Sequence, residues 1–198
     1  MPDEFIRRFA QATDRIDRIK AFWEERVHEG NPEEVTLEIG CGHGHWLTAF
    51  AERNPERFCI GIDLITKRVE LANRKKNKRD LQRLFFLKAD AAEFLQGMSP
   101  EVKLTETVLL FPDPWPKKRH HKRRLVNESF LDLLAKRTHL GGKLYFRTDH
   151  DEFFAWTAEK ITSHDSWVAL SDSPWPFEHE TYFQNILPKH TSLVAKTT

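Results

Sequence analysis

The sequence has few cysteines, no long apolar run and almost no net charge, and each shortage excludes a class of protein. Its 198 residues include two cysteines, Cys41 and Cys59, too few for the disulfide framework of a small secreted protein. Both stand among apolar residues or glycines, which favours small buried thiols, so we expect a cytoplasmic protein. No apolar run approaches the roughly 18 residues of a membrane-spanning helix, and the N-terminal residues lack an apolar signal-peptide core.

Net charge is nearly absent, because 31 lysines and arginines are balanced by 30 aspartates and glutamates, for a total of +1. The basic residues are nevertheless unevenly placed. Residues 117–124, which we call the basic octet, read Lys-Lys-Arg-His-His-Lys-Arg-Arg and contain no acid. A solvated charged face usually mixes both signs, so this asymmetry indicates a local anion-binding surface on an otherwise neutral protein.

Strand and helix patterns alternate along the chain, which predicts one α/β domain over residues 1–198 with an N-terminal helical lead at 1–30. Alternation of this kind indicates right-handed crossovers and a mainly parallel sheet with helices on both faces. Strands are predicted at 35–40, 58–64, 84–90, 107–112 and 143–149, with weaker candidates at 167–170 and 191–195.

Two segments carry further expectations about the fold. The amphipathic pattern at 125–140 predicts a helix that stops at Gly141-Gly142, because paired glycines commonly end helices. Residues 171–177, Ser-Asp-Ser-Pro-Trp-Pro-Phe, are rich in turn formers and are expected to form a surface loop.

The carboxyl ends of the predicted strands carry acids, glycines and prolines. In an open parallel sheet, ligands bind beyond these ends, at the point where the strand order reverses. The residues placed there are Glu38 to Gly44, Asp63, Asp90, Pro112 to Pro116, and Thr148-Asp149. The sequence therefore predicts one site formed by five strand ends.

A glycine-rich loop follows the first predicted strand, with Gly40, Gly42 and Gly44 in the sequence Leu-Glu-Ile-Gly-Cys-Gly-His-Gly. A dinucleotide fingerprint, G-x-G-x-x-G, requires a third glycine at position 45, where this chain has His45. Glu38 would also repel a pyrophosphate at the start of the helix. An acid beside a glycine loop is better suited to a cationic or neutral ligand.

The pattern E-x-G-x-G-x-G, followed by Asp63 and Asp90 at the next two strand ends, resembles class I S-adenosylmethionine-dependent methyltransferases. The resemblance implies a mostly parallel Rossmann-like sheet with an antiparallel edge strand and helices on both faces. It also implies that Asp63 accepts hydrogen bonds from the ribose hydroxyls of S-adenosylmethionine and that Asp90 lies near the adenine. Glu38 and the glycines Gly40, Gly42 and Gly44 would lie near the methionine end.

Residues 112–116, Pro-Asp-Pro-Trp-Pro, form a segment that we call the elbow, with Asp113 near its centre. Three prolines fix three φ angles, so the elbow is stiff before any ligand binds. The elbow and the basic octet together closely resemble the signature of the TrmB-type tRNA (guanine-7)-methyltransferases. That resemblance implies methyl transfer from S-adenosylmethionine to the 7-nitrogen of a guanosine at position 46, in the variable loop of tRNA.

The resemblance also implies a role for each matching residue. Asp113 lies near both cofactor and base, where we assign it positioning and base recognition. The 7-nitrogen of guanine carries a lone pair and no hydrogen, so alignment matters more than proton abstraction. The implied substrate and RNA contacts are Lys117, Arg119, His120, His121, Lys122, Arg123, Arg124, Asp149, Thr181 and Gln184. The implied partner is tRNA, bound by a monomer or homodimer, with no metal, membrane or DNA.

The chain departs from the family pattern at two places. Family members typically carry T-x-[FY]-E near the C-terminus, whereas this chain has Gln184 at the last position, which loses the charge and gains an N–H₂ donor. Asp63 replaces the commoner glutamate, a shorter acid for the same contact. The departure at Gln184 bears on substrate recognition near Thr181 and Gln184.

Several alternatives remain open from the sequence. Asp-Pro-Trp loosely resembles the [DN]-P-P-[YFW] motif of enzymes that methylate exocyclic amines, and an RNA-binding module without catalysis is a third interpretation. Trp115 could stack on the target base or pack beneath the elbow. A second basic stretch, residues 67–83, either extends the RNA-binding surface or is a solvated helix face. The His120-His121 pair lacks further ligands at zinc-like spacing.

Overall fold

The computed structural model describes residues 2–28, 34–179 and 189–198. Its helices are α1 (Pro2–His28), α2 (His45–Arg53), α3 (Thr66–Lys78), α4 (Ala91–Gly97), α5 (Glu128–Arg137) and α6 (Asp151–Thr162). Its strands are β1 (Val35–Ile39), β2 (Phe58–Asp63), β3 (Leu84–Lys88), β4 (Leu104–Leu110), β5 (Thr138–Thr148), β6 (Trp167–Leu170) and β7 (Thr191–Thr197). A short 3₁₀ helix covers Lys118–Arg123.

The seven strands form one sheet in the order β3-β2-β1-β4-β5-β7-β6. Strands β1 to β5 pair in parallel, and Leu37 at the centre of β1 lies opposite Ile60 of β2 and Thr107 of β4. β7 runs antiparallel to both of its neighbours at one end of the sheet. The predicted α/β class, with a mostly parallel sheet and an antiparallel strand toward one edge, is confirmed.

Buried side chains pack on the two faces of the sheet as two clusters. The first face is covered by α1, α4, α5 and α6, with Trp23, Phe94, Leu131 and Phe153 all buried there. The second face is covered by α2 and α3 around Trp46 and holds both cysteines, which are free and buried. Burial raises the pKa of the Cys59 thiol to about 12, so it stays protonated at neutral pH, as expected of a buried structural thiol.

Residues 171–177 form a loop at the surface, as expected, but two of its aromatic side chains pack against the second cluster. Trp175 packs edge-to-face on Tyr145 with ring centroids 5.5 Å apart, and Phe177 contacts Trp46 at 6.1 Å. The indole N–H of Trp46 also donates to the carbonyl of Phe177 at 3.0 Å. The turn-forming residues predicted the loop correctly, and the packing of its two aromatic side chains was not predicted.

The expected helix stop at Gly141-Gly142 was wrong. α5 ends at Arg137, and β5 begins at once with Thr138 and continues through both glycines. The pairing with β4 shifts register there, since Thr138 lies opposite Leu104 while Lys143 lies opposite Glu106. Gly141, at φ 78°, supplies the left-handed backbone that this irregularity needs.

The strand order reverses between β1 and β4, because the chain proceeds from β1 toward β3 on one side and from β4 toward β5 on the other. The loops that follow β1 and β4 therefore diverge and leave a crevice at this point. These loops are the glycine-rich loop and the elbow. Among the described residues, no helix combines the length and apolar character needed to cross a membrane.

Candidate functional site

The glycine-rich loop is fixed to the end of β2 by backbone hydrogen bonds. The N–H groups of Gly40 and Cys41 both donate to the carbonyl of Ile62, at 2.8 and 3.0 Å. The N–H of Gly42 donates to Asp63 Oδ2 at 3.0 Å. The loop is thus held in one shape by the neighbouring strand.

Two of the three loop glycines face open space, and the third is packed. A Cβ atom added at Gly40 or Gly42 would meet nothing within 4 Å, although their φ angles of 77° and 54° disfavour any side chain. A Cβ at Gly44 would lie 2.6 Å from the Phe86 ring and 2.8 Å from Ala72. Gly40 and Gly42 therefore leave room for a ligand to approach the backbone, and Gly44 allows α2 to pack closely on the sheet.

Glu38 is a buried acid directly beneath the loop, with 3 % of its surface exposed. The backbone N–H of Leu47 donates to its carboxyl group, and Oε2 has no hydrogen-bond partner among the described residues. Burial, with a smaller contribution from the negative charge of Asp63, raises the pKa of Glu38 to about 8. A buried acceptor without a partner at this position suits a ligand that brings a donor or a positive charge.

Asp63 and Asp90 lie at strand ends, as predicted, and each also stabilises the backbone. Asp63 is buried and accepts from the N–H of Ile65 at 2.8 Å as well as from Gly42, while the Arg68 guanidinium lies 3.7 Å away. Asp90 caps α4, with Oδ1 accepting from the N–H of Ala92 at 2.9 Å. The capping role was missed, although an aspartate immediately before Ala-Ala-Glu is a common signal for a helix start.

Two residues in the left-handed backbone region turn the chain at the elbow. Phe111, directly before it, has φ 49°, and Trp115, within it, has φ 45°. Such angles are uncommon outside glycine and mark a sharply turned backbone. The N–H of Phe111 donates to the carbonyl of Arg147 at 2.8 Å, which ties the start of the elbow to β5. Asp113 is exposed in the loop between these two turns, at the same edge of the sheet as the glycine-rich loop.

The basic octet folds back onto the elbow through Trp115. The Arg123 guanidinium lies over the Trp115 ring at 4.9 Å from its centroid, and the His120 ring meets the indole edge-on at 5.9 Å. Trp115 is half-buried by these contacts. The ring thus packs against the octet, an arrangement that differs from both alternatives left open by the sequence.

Five cations of the octet are exposed: Lys117, Lys118, Arg119, Lys122 and Arg123. Among the described residues, no carboxylate lies within ion-pair distance of any of them. An uncompensated cluster of cations on a stiff support is a favourable surface for a polyanion. His120 and His121 are partly buried at its inner side.

Arg124 differs from the rest of the octet, and the expectation that it contacts phosphate is corrected. Its side chain has 0 % of its surface exposed, and its guanidinium donates to Glu152 on α6. A buried and fully paired guanidinium is not accessible to an RNA phosphate. No pattern in the octet distinguishes Arg124, because it follows five exposed lysines and arginines in the same run.

The remaining predicted substrate residues are distributed between two regions. Asp149 is exposed at the end of β5, immediately before α6, and so lies on the strand next to the elbow. Thr181 and Gln184 lie outside the described residues. Within the described part of the chain, no group of three or more histidine, cysteine or acidic side chains is arranged to hold a metal ion.

The second basic stretch, residues 67–83, is largely engaged within the protein. Lys75 Nζ donates to the carbonyl of His43 at 2.8 Å and lies 2.8 Å from Nε2 of His45. Arg79 pairs with Glu52 at 2.7 Å. These contacts tie α3 to α2 and to the glycine-rich loop, and they account for part of the positive charge without an RNA ligand.

The chain is similar in sequence to a family of methyltransferases and in fold to solved methyltransferase structures. Residues 32–197 match a family model described as "Putative methyltransferase". A tRNA (guanine-N(7)-)-methyltransferase of Mycoplasmopsis pulmonis is 39 % identical over 129 residues, which cover 64 % of this chain and 61 % of that protein. A protein of the same name from Salmonella typhimurium is 36 % identical over 144 residues, covering 73 % and 60 %.

The chain thus spans about 60 % of the length of these relatives. Among solved structures, an rRNA methylase from Streptococcus thermophilus superposes with a TM-score of 0.58 at 9 % identity, covering 84 % of this chain and 88 % of that one. At this low identity, the superposition shows a shared fold only. The resemblance to tRNA (guanine-7)-methyltransferases inferred from the elbow and octet is confirmed by the matched relatives.

Proposed function

The chain belongs to the methyltransferase family whose model it matches over residues 32–197, and on this premise we propose that it methylates the 7-nitrogen of guanosine in tRNA. We further propose position 46, in the variable loop, as the target. The observation that carries the proposal is the elbow: it presents an exposed carboxylate, Asp113, beside the glycine-rich loop and is followed at once by five exposed cations. The names of the matched relatives support it.

The proposed cofactor is S-adenosylmethionine, which when bound supplies a methyl group on a positively charged sulfur. The residues present fit this ligand. Gly40 and Gly42 border open space, and the buried oxygen Oε2 of Glu38 has no partner among the described residues. Asp63 and Asp90 retain acceptor capacity beyond the backbone N–H groups that they already bind, as a ribose or adenine contact requires.

Asp113 is proposed to recognise and orient the guanine. A carboxylate accepts from the adjacent N1–H and N2–H donors of guanine, a pair that adenine does not present in the same arrangement. The 7-nitrogen needs no deprotonation, so no general base is required. The contribution of the protein is alignment, and a stiff proline-rich support preserves that alignment.

The exposed cations of the octet are proposed to bind the tRNA backbone. Lys117, Arg119, Lys122 and Arg123 would neutralise phosphates and set the register of the RNA without reading its sequence. His120 and His121 line the inner side of this surface. Asp149, Thr181 and Gln184 are proposed to complete the contacts to the nucleoside from the β5 side and from the C-terminal segment.

Mapping of the methylated nucleoside tests the proposal. The chain is incubated with methyl-labelled S-adenosylmethionine and unmodified tRNA, and the product is treated with aniline after reduction. Scission at position 46 is expected, because 7-methylguanosine is labile to this treatment and a methylated exocyclic amine is not. Label in tRNA without scission would favour the amine-methylating alternative, and RNA binding without any label would favour a non-catalytic module.

A further inference from the structure

Arg124 connects the elbow, which follows β4, to α6, which follows β5. Its Nε donates to the carbonyl of Pro114, in the elbow, at 2.8 Å. Its two terminal nitrogens donate to both carboxylate oxygens of Glu152, on α6, at 3.0 and 3.1 Å. One side chain therefore joins the loop after β4 to the first turn of the helix after β5.

The surroundings of Arg124 favour a guanidinium over any other side chain. The group lies over the rings of Phe153 and Trp156, 5.1 and 5.2 Å from their centroids, and is closed off from solvent. A planar fork can meet the carbonyl, the carboxylate and the two ring faces together, whereas a lysine ammonium supplies one point of contact. The interaction with Arg124 also holds the pKa of Glu152 below its ordinary value, in keeping with a persistent ion pair.

The two ends of this connection lie next to the two exposed acids of the candidate site. Pro114 directly follows Asp113, and Glu152 lies three residues after Asp149. Arg124 also closes the 3₁₀ helix of the octet, where its N–H donates to the carbonyl of His121 at 3.0 Å. Arg124 thus joins the elbow, the octet and the start of α6, and Nε2 of His121 in the octet lies a further 3.8 Å from Oε1 of Glu152.

We propose that Arg124 is a positioning residue that, through Pro114 and Glu152, sets the distance between Asp113 and Asp149 across the guanine site. The inference rests on the proposed function, since it assigns both carboxylates to the methyl acceptor. A buried charge is expensive to retain for stability alone, so its use here as a spacer between two loops is a reason for its presence. Arg124 itself touches neither the RNA nor the cofactor.

The first variants are Arg124→Lys and Glu152→Gln, each of which keeps a polar side chain but loses the two-point pairing. We expect kcat to fall by about tenfold to 100-fold, the effect of a small misplacement of reacting groups. The Kd for S-adenosylmethionine and the salt dependence of tRNA binding should stay within twofold of the wild type. The double variant should be less impaired than the product of the two single effects, because the residues act together.

A second pair of the same chemistry serves as the matched control. Arg15 on α1 donates to both carboxylate oxygens of Glu93 on α4, at 2.8 and 2.6 Å, on helices that carry none of the proposed substrate contacts. Arg15→Lys and Glu93→Gln should leave kcat within twofold of the wild type. Arg123→Gln, beside Arg124 but exposed, should instead weaken tRNA binding and flatten its salt dependence.

Hydrogen exchange in the absence of substrate separates failure of this inference from failure of the proposed function. Arg124→Lys and Glu152→Gln should speed exchange at the amides of Asp113 and Trp115, and the Arg15 variants should not. If the wild-type protein methylates no tRNA but exchange is still faster in the Arg124→Lys and Glu152→Gln variants, the proposed function is overturned and the connection through Arg124 is supported. Unchanged exchange and unchanged kcat in folded Glu152→Gln, or a flattened salt dependence in Arg124→Lys, would overturn the inference.

Discussion

The two halves of the candidate site are built in opposite ways. In the half after β1 to β3, which we call the buried half, the acids Glu38 and Asp63 are buried beneath the glycine-rich loop, and hydrogen bonds from the N–H groups of Gly40, Cys41 and Gly42 fix that loop to β2. The half after β4 and β5 is exposed, with Asp113 and Asp149 on loops at the surface. The buried half suits a small ligand that is enclosed, and the exposed half suits a macromolecule that arrives from outside.

The source of rigidity differs in the same way. In the buried half, several backbone contacts each contribute, so no single side chain holds the loop. In the exposed half, three prolines stiffen the elbow locally and one buried side chain, Arg124, attaches it to α6. Substitutions in the two halves should therefore have different effects. Those in the buried half should alter cofactor affinity, and those in the exposed half should alter the rate of methylation or the affinity for RNA.

The largest expected effect comes from Asp113→Ala. Loss of the carboxylate removes guanine orientation, and kcat should fall by about 100-fold or more while the Kd for S-adenosylmethionine changes less than about threefold. Single-turnover kinetics and calorimetry measure the two quantities. Asp132→Ala, at an exposed acid on α5, is the control. Wild-type rates in Asp113→Ala would exclude this residue from the site and contradict the assignment of guanine orientation to the exposed half.

Asp63→Ala should have the next largest effect, in the other half. Two backbone N–H groups, those of Gly42 and Ile65, lose their charged acceptor, and the ribose contact is lost with it. We expect cofactor affinity to fall by about tenfold to 100-fold, as for loss of charge-assisted hydrogen bonds. The salt dependence of tRNA binding should be unchanged. A folded Asp63→Ala protein with wild-type cofactor affinity would contradict the assignment.

The double variant Lys122→Gln and Arg123→Gln tests the outer surface of the octet. Both side chains are exposed and lack ion-pair partners among the described residues, so the change should affect RNA contacts and leave the core intact. We expect tRNA affinity to fall by about tenfold at moderate salt and the slope of log Kd against log salt to drop by about 0.7 to 0.9 per contact. An unchanged slope would exclude these cations from the interface.

The last prediction concerns stability and not activity, through Glu38 in the cofactor-free protein. Its pKa is raised to about 8 in the folded state, above about 4.3 for the unfolded chain, so the folded protein binds the proton more tightly. The resulting stabilisation is complete below about pH 4.3 and declines as the pH rises through about 8. The slope is at most about 1.4 kcal/mol per pH unit.

Denaturant unfolding at pH 5 to 9 measures this dependence, with Glu38→Gln as the comparison because it keeps the shape and cannot titrate. The free energy of unfolding of the wild type should fall with pH relative to that of the variant. Parallel curves would show that the Glu38 carboxyl is not held neutral by burial. Saturating S-adenosylmethionine should reduce the difference, since a cationic ligand favours the ionised acid.

The parallel core of the fold could be predicted because its signals are local. Each buried strand is a short apolar run, and α2 and α3 lie between successive strands, as the predicted alternation of strands and helices requires. Glu38, Asp63 and Asp90 were located at strand ends for the same reason. The start of β5 was not predicted, since Gly141-Gly142 resembles a helix stop unless the shifted pairing with β4 is known.

The parts that could not be predicted depend on contacts distant in sequence. Arg124 is one of eight similar residues in the octet, and only its pairing with Glu152, 28 residues later, distinguishes it. Trp175 and Phe177 occupy a turn-rich segment, and their partial burial depends on contacts with Tyr145 and Trp46, which are distant in sequence. In both cases the local pattern described the segment correctly and did not reveal the contacts of the individual residue.

The central claim is that the elbow presents the 7-nitrogen of guanine for methylation. The most direct measurement uses tRNA in which the guanosine at position 46 is replaced by 7-deazaguanosine, which keeps the N1–H and N2–H donors and lacks only the acceptor nitrogen. The account predicts that this tRNA binds as well as the unmodified one and receives no methyl group. Methylation of the 7-deazaguanosine tRNA at the wild-type rate would contradict it.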